Sequence, residues 1–107
     1  MAVDGISAGL SGLQTAAQGV ALSANNVANV NTPGYRARSL VQAEQPQGGV
    51  AGVAVRQSQE PLDPGGSNVD LATEAVNLKT QGVGYQADLK FLEAQDRMLG
   101  SALDMKA

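Results

Sequence analysis

"NNVANVNTPGY" (residues 25–35) ends a long segment without charged residues. Pro33 cannot continue a helix, because it lacks an amide hydrogen and disfavours the helical conformation of the residue before it. Gly34 tolerates the backbone conformations that a turn requires. The asparagines suit a helix end, since their side chains compete for backbone hydrogen bonds. The stretch therefore predicts the end of a helix that occupies the residues before it.

Apolar residues upstream of this break recur at alternating steps of three and four. They are Val3, Ile6, Leu10, Leu13, Ala17, Val20, Ala24 and Val27. This is the a/d pattern of a left-handed coiled coil, and it continues for more than three heptads. It predicts a helix over residues 4–30 that uses the apolar residues as its seam, with Asp4 near the positive end of the helix dipole.

A second set with the same spacing follows a loop rich in helix breakers. It comprises Leu71, Ala75, Leu78, Gly82, Tyr85, Leu89, Leu92, Asp96, Leu99 and Leu103. Beside it runs another apolar stripe, Phe91, Met98, Ala102 and Met105. Ser67, with Asp70 three residues later, is typical of a helix N-cap. The pattern predicts a second helix over residues 69–105.

Between the helices, the turn-forming "QPQGG" (residues 45–49) is flanked by Leu40 and by the alternating Val53 and Val55. This arrangement favours a short β-hairpin or a loop. The predicted fold is therefore mainly α, an antiparallel helical hairpin or coiled coil with a short β-hairpin or loop between its helices. We expect one domain, with the N-terminal helix and its terminator at residues 1–33, the β-hairpin or loop at 34–66 and the C-terminal helix at 67–107.

The composition argues against several kinds of function. The chain has 107 residues, a net charge of −3, and neither His nor Cys. Its seven basic residues are scattered, which argues against a nucleic-acid partner. The absence of His and Cys removes the usual zinc ligands and thiolate nucleophiles. We predict no catalytic, cofactor or metal site, because pairs such as Glu93 and Asp96 are typical of a solvated helix surface.

No stretch of the sequence approaches the roughly 20 apolar residues that span a bilayer. The first residues also lack the basic and apolar regions of a cleavable secretory signal. We therefore expect no direct insertion into a membrane and no cleaved signal peptide.

Residues 5–35 contain no charged side chain. A helix that turns one face to water normally carries charges on that face. Small, uncharged side chains on all sides instead suit a helix surrounded by several neighbours. One interpretation is a helix that becomes ordered on assembly, and the alternative is a flexible N-terminal arm.

"SANNVANVNTPGYRAR" (residues 23–38) closely resembles the N-terminal motif of the bacterial flagellar axial proteins, A-x-N-N-x-A-N-x-x-T-P-G-Y/F. "SNVDLATEAVNLKTQGVGYQADLKFLEAQDRMLGSALDMK" (residues 67–106) resembles the C-terminal region of the rod proteins. The resemblance covers about residues 4–38 and 62–106, and the chain looks most like a small proximal flagellar basal-body rod protein. It implies a structural subunit that travels through the flagellar export apparatus without a cleaved signal.

The resemblance further implies that the terminal helices assemble, with other rod subunits and with copies of the chain, into a hollow tube in the periplasm-spanning rod. The tube transmits torque and passes exported subunits. Asn25, Asn26 and Asn29 are expected to form hydrogen bonds across subunits. An alternative is a divergent rod-protein paralogue that acts as a small helical adaptor. The expected assembly interface comprises Ile6, Leu10, Leu13, Val20, Asn25, Asn26, Val27, Asn29, Thr32, Pro33, Gly34, Tyr35, Leu71, Leu78, Tyr85, Leu89, Leu92, Leu99 and Leu103.

Overall fold

The computed structural model describes residues 2–46 and 48–106, without the side chains of residues 2–4 and 106. Helix α1 spans Ala2–Ala28, strand β1 Arg38–Glu44, strand β2 Val50–Gln57 and helix α2 Leu71–Lys106. This order confirms the predicted mainly-α fold, in which two helices flank a β-hairpin. The roles expected for Val3 and Asp4 concern side chains that the structure does not describe.

The molecule is elongated and has little interior. It measures 67 × 24 × 14 Å, and its radius of gyration is 18.0 Å, against about 13 Å for a compact chain of this length. Its accessible surface is 7180 Å², roughly 1,600 Å² more than the ~5,600 Å² expected for a compact protein of 10.9 kDa. Among the described residues, only Ala16 and Val69 are buried apolar residues. Much of the apolar surface therefore remains in contact with water.

Helix α1 ends two residues earlier than predicted, within the asparagine cluster. The amide of Asn29 donates to the carbonyl oxygens of Asn25 and Asn26, both at 3.1 Å, and the amide of Thr32 donates to the carbonyl of Asn29 at 2.9 Å. Gly34 has a φ of 78°, a left-handed conformation that glycine adopts without strain. The chain then turns towards β1.

The N-cap of α2 is Asp70 rather than Ser67. The Asp70 Oδ1 atom accepts hydrogen bonds from the amides of Ala72 at 3.0 Å and Thr73 at 3.4 Å. These are two of the free amides at a helix start that an N-cap side chain satisfies. Ser67 donates its hydroxyl to the carbonyl of Val30 at 2.7 Å instead. Its side chain therefore ties α2 to the end of α1.

The two helices pack antiparallel along small residues of α1. The side chains of Gln95, Leu92, Asp88 and Gln81 lie against Gly5, Gly9, Gly12 and Gly19 respectively. At Gly9 the approach is so close that an added Cβ would lie 2.7 Å from Cδ2 of Leu92. The contacting residues of α1 recur at the heptad spacing of a coiled coil. We call this line of contacts, which continues through Ala16, Ser23 and Asn26, the glycine seam.

The apolar stripe of α1 was expected to form the contact with α2, and this expectation is wrong. Each seam residue precedes a stripe residue by one position, a rotation of about 100° around the helix. Leu10, the neighbour of Gly9, is 49% exposed. Side chains of α2 fit against glycines more closely than against leucines or valines, so the apolar stripe lies beside the contact with α2 rather than at its centre.

The β-hairpin lies along α1 and confirms the predicted strands. β1 and β2 pair antiparallel, with Arg38 opposite Gln57, Leu40 opposite Val55 and a bulge between Val41 and Gln42. The turn at Gly49 lies against Ala8 and Ser11 of α1. The Thr15 hydroxyl donates to the carbonyl of Val50 at 3.3 Å. The hairpin therefore covers one side of α1.

The glycine seam predicts opposite effects for two Gly→Ala substitutions. Gly100 of α2 has open space around it. Gly100→Ala should raise the free energy of unfolding by about 0.5–1 kcal/mol through helix propensity alone. Gly9→Ala gains the same propensity but forces Leu92 and Phe91 to move, which costs about 1–3 kcal/mol. Urea denaturation followed by circular dichroism measures both. A Gly9→Ala chain as stable as Gly100→Ala would disprove the close seam.

Candidate assembly surface

A network of polar side chains, which we call the junction, joins residues 25–38 to residues 58–70. At its centre, Asn26 is 1% exposed. Its Nδ2 donates to the carbonyl of Arg38 at 2.8 Å, and its Oδ1 accepts from the amide of Arg38 at 2.9 Å and from the Tyr35 hydroxyl at 2.8 Å. The side chain thus offers Arg38 a donor and an acceptor, as a neighbouring strand would. It fixes the start of β1 to α1.

Residues from the second motif complete the junction. The Oδ1 atom of Asn68 accepts a hydrogen bond from the amide of Ala37 at 2.6 Å, and its Nδ2 donates to the carbonyl of Glu60 at 2.9 Å. The backbone amide of Gly34 donates to the carbonyl of Gly66 at 3.0 Å, and that of Asn68 to the carbonyl of Tyr35 at 3.2 Å. The two sequence motifs, far apart in the chain, therefore meet in one network.

This network corrects the hypothesis that Asn26 forms a hydrogen bond across subunits. Its side chain is buried and bonded within the chain, so it cannot reach a neighbour. Asn25 and Asn29 are also engaged: Asn25 Nδ2 donates to the Tyr35 hydroxyl at 3.2 Å, and Asn29 Nδ2 to the carbonyl of Asn25 at 2.8 Å. The Thr32 hydroxyl donates to Asn29 Oδ1 at 3.0 Å. Asn25, Asn29, Thr32, Pro33, Gly34 and Tyr35 remain predicted interface residues, but the structure gives most of them a role in ending α1.

Helix α1 carries three neighbouring stripes with the same heptad spacing. One faces the hairpin and comprises Ala8, Ser11, Thr15, Gln18 and Leu22. The next is the glycine seam against α2. The third is the apolar stripe, Ile6, Leu10, Leu13, Val20 and Val27, in which Leu10 and Val27 are classed as exposed and the other three as half-buried. α1 therefore leaves part of its apolar stripe, at Leu10 and Val27, exposed.

The predicted interface residues of helix α2 differ in exposure. Leu78 and Leu92 are half-buried, whereas Tyr85, at the same heptad spacing, is 39% exposed. The other four residues are exposed as well: Leu71, Leu89, Leu99 and Leu103. We call these four residues, together with the apolar stripe of α1, the exposed apolar surface.

Several apolar side chains of α2 that we did not predict as interface residues are also exposed. Val76 is 62% exposed and Val83 59%, and Phe91 and Met98 are also exposed. On a helical wheel, five exposed charged residues lie between this group and the exposed apolar surface. They are Lys79, Lys90, Glu93, Arg97 and Asp104. α2 thus has one charged side with apolar side chains on both flanks. The sequence signal for Val76 and Val83 was their spacing of seven.

The described part of the chain offers little for chemistry. No group of three or more His, Cys, Asp or Glu residues within it is placed to hold a metal ion. No described helix is both long enough and apolar enough to cross a membrane. An elongated helical hairpin that leaves many large apolar side chains exposed is typical of the class of structural subunits.

Comparison with protein families agrees with this class. Residues 6–36 match the model described as "Flagella basal body rod protein". Residues 65–105 match the model described as "Flagellar basal body rod FlgEFG protein C-terminal". No curated protein matches the chain. The two matched segments contain α1 with its terminator and α2 with its N-cap, which are the parts that the junction joins.

The chain belongs to the flagellar basal body rod protein family. It is a component of the flagellar basal body rod, and the family is structural rather than enzymatic in general. The matches also support the predicted role in the flagellum and in motility.

Proposed function

We propose that the protein is a structural subunit that assembles through its terminal helices, with other rod subunits and copies of itself, into a hollow helical tube. The tube transmits torque and passes exported subunits. The observation that carries this proposal is the orientation of α1, whose apolar stripe lies beside the contact with α2 and leaves Leu10 and Val27 exposed. A helix pair that was stable alone would bury that stripe between its helices.

The size of the exposed surface supports extensive contacts. The chain exposes about 1,600 Å² more surface than a compact protein of its mass. A standard protein–protein interface buries ~1,600 Å² in total, about half of it on each partner. The excess accessible surface of this one chain therefore corresponds to contacts with about two neighbours, as expected for a subunit inside a lattice.

The distribution of charge supports an orientation in the assembly. Residues 5–35 contain no charged side chain, whereas α2 has a charged side. Burying a charge without a partner is costly, and uncharged side chains avoid this cost. We place α1 among the helices of neighbouring subunits and the charged side of α2 in contact with water.

The two apolar areas differ from one another, which supports head-to-tail assembly. The stripe of α1 consists of Ile, Leu, Ala and Val, whereas the exposed residues of α2 include Phe91, Met98 and Met105. Contact between unlike surfaces repeats from subunit to subunit, and it forms a ring or a helix rather than a closed dimer. A tube is such an assembly.

The small interior suits export in an unfolded state. Because few apolar side chains are buried, the isolated chain has little burial energy to set against its conformational entropy. We propose that it travels through the flagellar export apparatus without a cleaved signal and folds fully when it joins the periplasm-spanning rod.

Mass spectrometry of purified hook–basal bodies tests this function. We expect the chain in several copies per basal body. A chain that is expressed but absent from clean basal bodies would overturn the proposal, and it would favour a divergent paralogue that acts as a helical adaptor.

The proposed orientation predicts unequal effects for a charge placed on the two helices. Ser7 of α1 and Gln86 of α2 are both exposed in the isolated chain. Ser7→Glu should lower the amount of chain in basal bodies roughly ten-fold, because it buries a charge between subunits. Gln86→Glu should leave that amount unchanged, since it lies on the charged side of α2. Quantitative mass spectrometry measures both, and equal incorporation would contradict the orientation.

A further inference from the structure

One carboxylate of α2 is buried without a partner. Glu74 is 4% exposed, and its Oε1 atom accepts no hydrogen bond from any residue that the structure describes. Most buried polar atoms have a hydrogen-bond partner, and a carboxylate oxygen without one carries a substantial desolvation cost. A hydrogen-bond donor supplied from outside the chain would remove this cost.

Glu74 lines a solvent-open cavity of about 480 Å³ beside the junction. Two further acidic residues, Glu60 and Asp70, line the same cavity, together with Asn68 and Asn77, and Asp70 also caps α2. We call it the carboxylate cavity. Its walls come from the start of β1, from the loop before α2 and from the first two turns of α2. It is large enough for an extended side chain that enters from outside.

The arginines near the cavity are engaged elsewhere. The Arg38 guanidinium lies 5.9 Å from the centre of the Tyr35 ring, within the range of a cation–π contact. Arg36 donates through Nη1 to the carbonyls of Ser58 and Glu60, both at 3.2 Å. The described part of the chain therefore leaves Glu74 without a cationic partner.

We propose that the carboxylate cavity receives a lysine or arginine side chain of a neighbouring rod subunit, which forms an ion pair with Glu74. This inference rests on the proposed function, because the neighbour is present only in the assembly. The cavity is lined by three acidic residues and one engaged arginine, so its net charge favours a cation. A metal ion fits less well, since the described residues hold no group of three suitable ligands. A charged pair at this position fixes the orientation of neighbouring subunits, which apolar contacts alone do not.

The first test places a photo-crosslinking residue, p-benzoylphenylalanine, at Asn77, which is exposed and lines the cavity. A reference chain carries the same residue at Leu89 on the exposed apolar surface. Basal bodies are purified after irradiation, and crosslinked peptides are sequenced. We expect position 77 to capture a rod-subunit peptide that contains Lys or Arg. Crosslinks at position 89 with none at 77 would overturn the cavity proposal while leaving assembly intact. Absence of the chain from basal bodies would overturn both.

The second test compares Glu74→Gln with a matched control, Glu93→Gln, on the charged side of the same helix. Glu74→Gln should reduce incorporation into basal bodies roughly ten-fold or more, as the loss of one partner of a buried charge pair does. Glu93→Gln should incorporate normally. The melting temperature of the isolated Glu74→Gln chain should not fall. A fall shared with Arg38→Gln would identify Arg38 as the partner of Glu74 and overturn the proposal.

Discussion

Cells whose only copy of the chain carries Leu10→Glu are expected to be non-motile, with the variant absent from basal bodies. Leu10 lies in the middle of the apolar stripe of α1 and is 49% exposed in the isolated chain. In the assembly, the new carboxylate is buried between subunits in every copy, at a cost of several kcal/mol each. Since the substitution is on the surface of the isolated chain, it should change the free energy of unfolding by no more than about 0.5 kcal/mol.

Soft-agar motility and mass spectrometry of basal bodies measure this effect, with circular dichroism as the check on folding. Leu10→Met is the matched control and should assemble, because it keeps the volume and the apolar character of the side chain. Normal motility of the Leu10→Glu strain would show that the apolar stripe is not an assembly contact.

The second large effect is expected for Asn26→Ala. The substitution leaves the amide and the carbonyl of Arg38 without their partner, and each such loss costs about 1–3 kcal/mol. A total loss of about 2–5 kcal/mol is comparable to the whole stability of a small domain. We expect the isolated chain to lose its cooperative urea transition, and the Arg38 amide to lose its protection from hydrogen exchange.

Asn31→Ala is the control for this prediction, because Asn31 is exposed and makes no side-chain hydrogen bond among the described residues. It should unfold like the unmodified chain. Tyr35→Phe removes the hydrogen bonds that the hydroxyl makes to Asn26 and Asn25 but keeps both contacts of Asn26 with Arg38, and it should cost about 1 kcal/mol. If the Asn26→Ala chain kept full stability but failed to assemble, the result would contradict this role and support hydrogen bonds from Asn26 across subunits.

The amino-acid pattern was sufficient to predict the elements of the fold. Pro33 and Gly34 marked the end of α1, "QPQGG" marked the hairpin turn, and the heptad spacing identified both helices. These features depend on local backbone preferences and on periodicity, which one sequence contains in full. The family motifs then indicated a flagellar rod component.

The helix contact was not predicted, because apolar periodicity shows which residues avoid water but not which partner they meet. Leu10 was placed in the seam between the two helices for this reason, whereas its neighbour Gly9 makes the close contact with α2. A usable signal did exist. Gly5, Gly12 and Gly19 are seven residues apart, and so are Gln81, Asp88 and Gln95. Glycines at a spacing of seven on one helix and larger polar residues at the same spacing on the other indicate that the two helices pack together. The polar side chains of the second helix then lie against the glycines of the first.

The role of Asn26 was missed for a different reason. A buried asparagine and an exposed one look alike in a sequence, and the partner here is the backbone of Arg38, which any residue type would supply. Glu74 posed the same problem. Its position at the start of a helix is typical of favourable dipole interactions, and nothing in the sequence shows that the loop and β1 cover it.

The glycine seam also constrains how the length of this protein can change during evolution. Inserting one residue between Leu13 and Gly19 would rotate Gly12 and Gly5 by about 100° relative to α2, which would place leucine and isoleucine against its polar side chains. Insertions or deletions of seven residues, made in both helices at equivalent positions, preserve every contact. The helices are therefore expected to vary in length only in matched steps of seven residues.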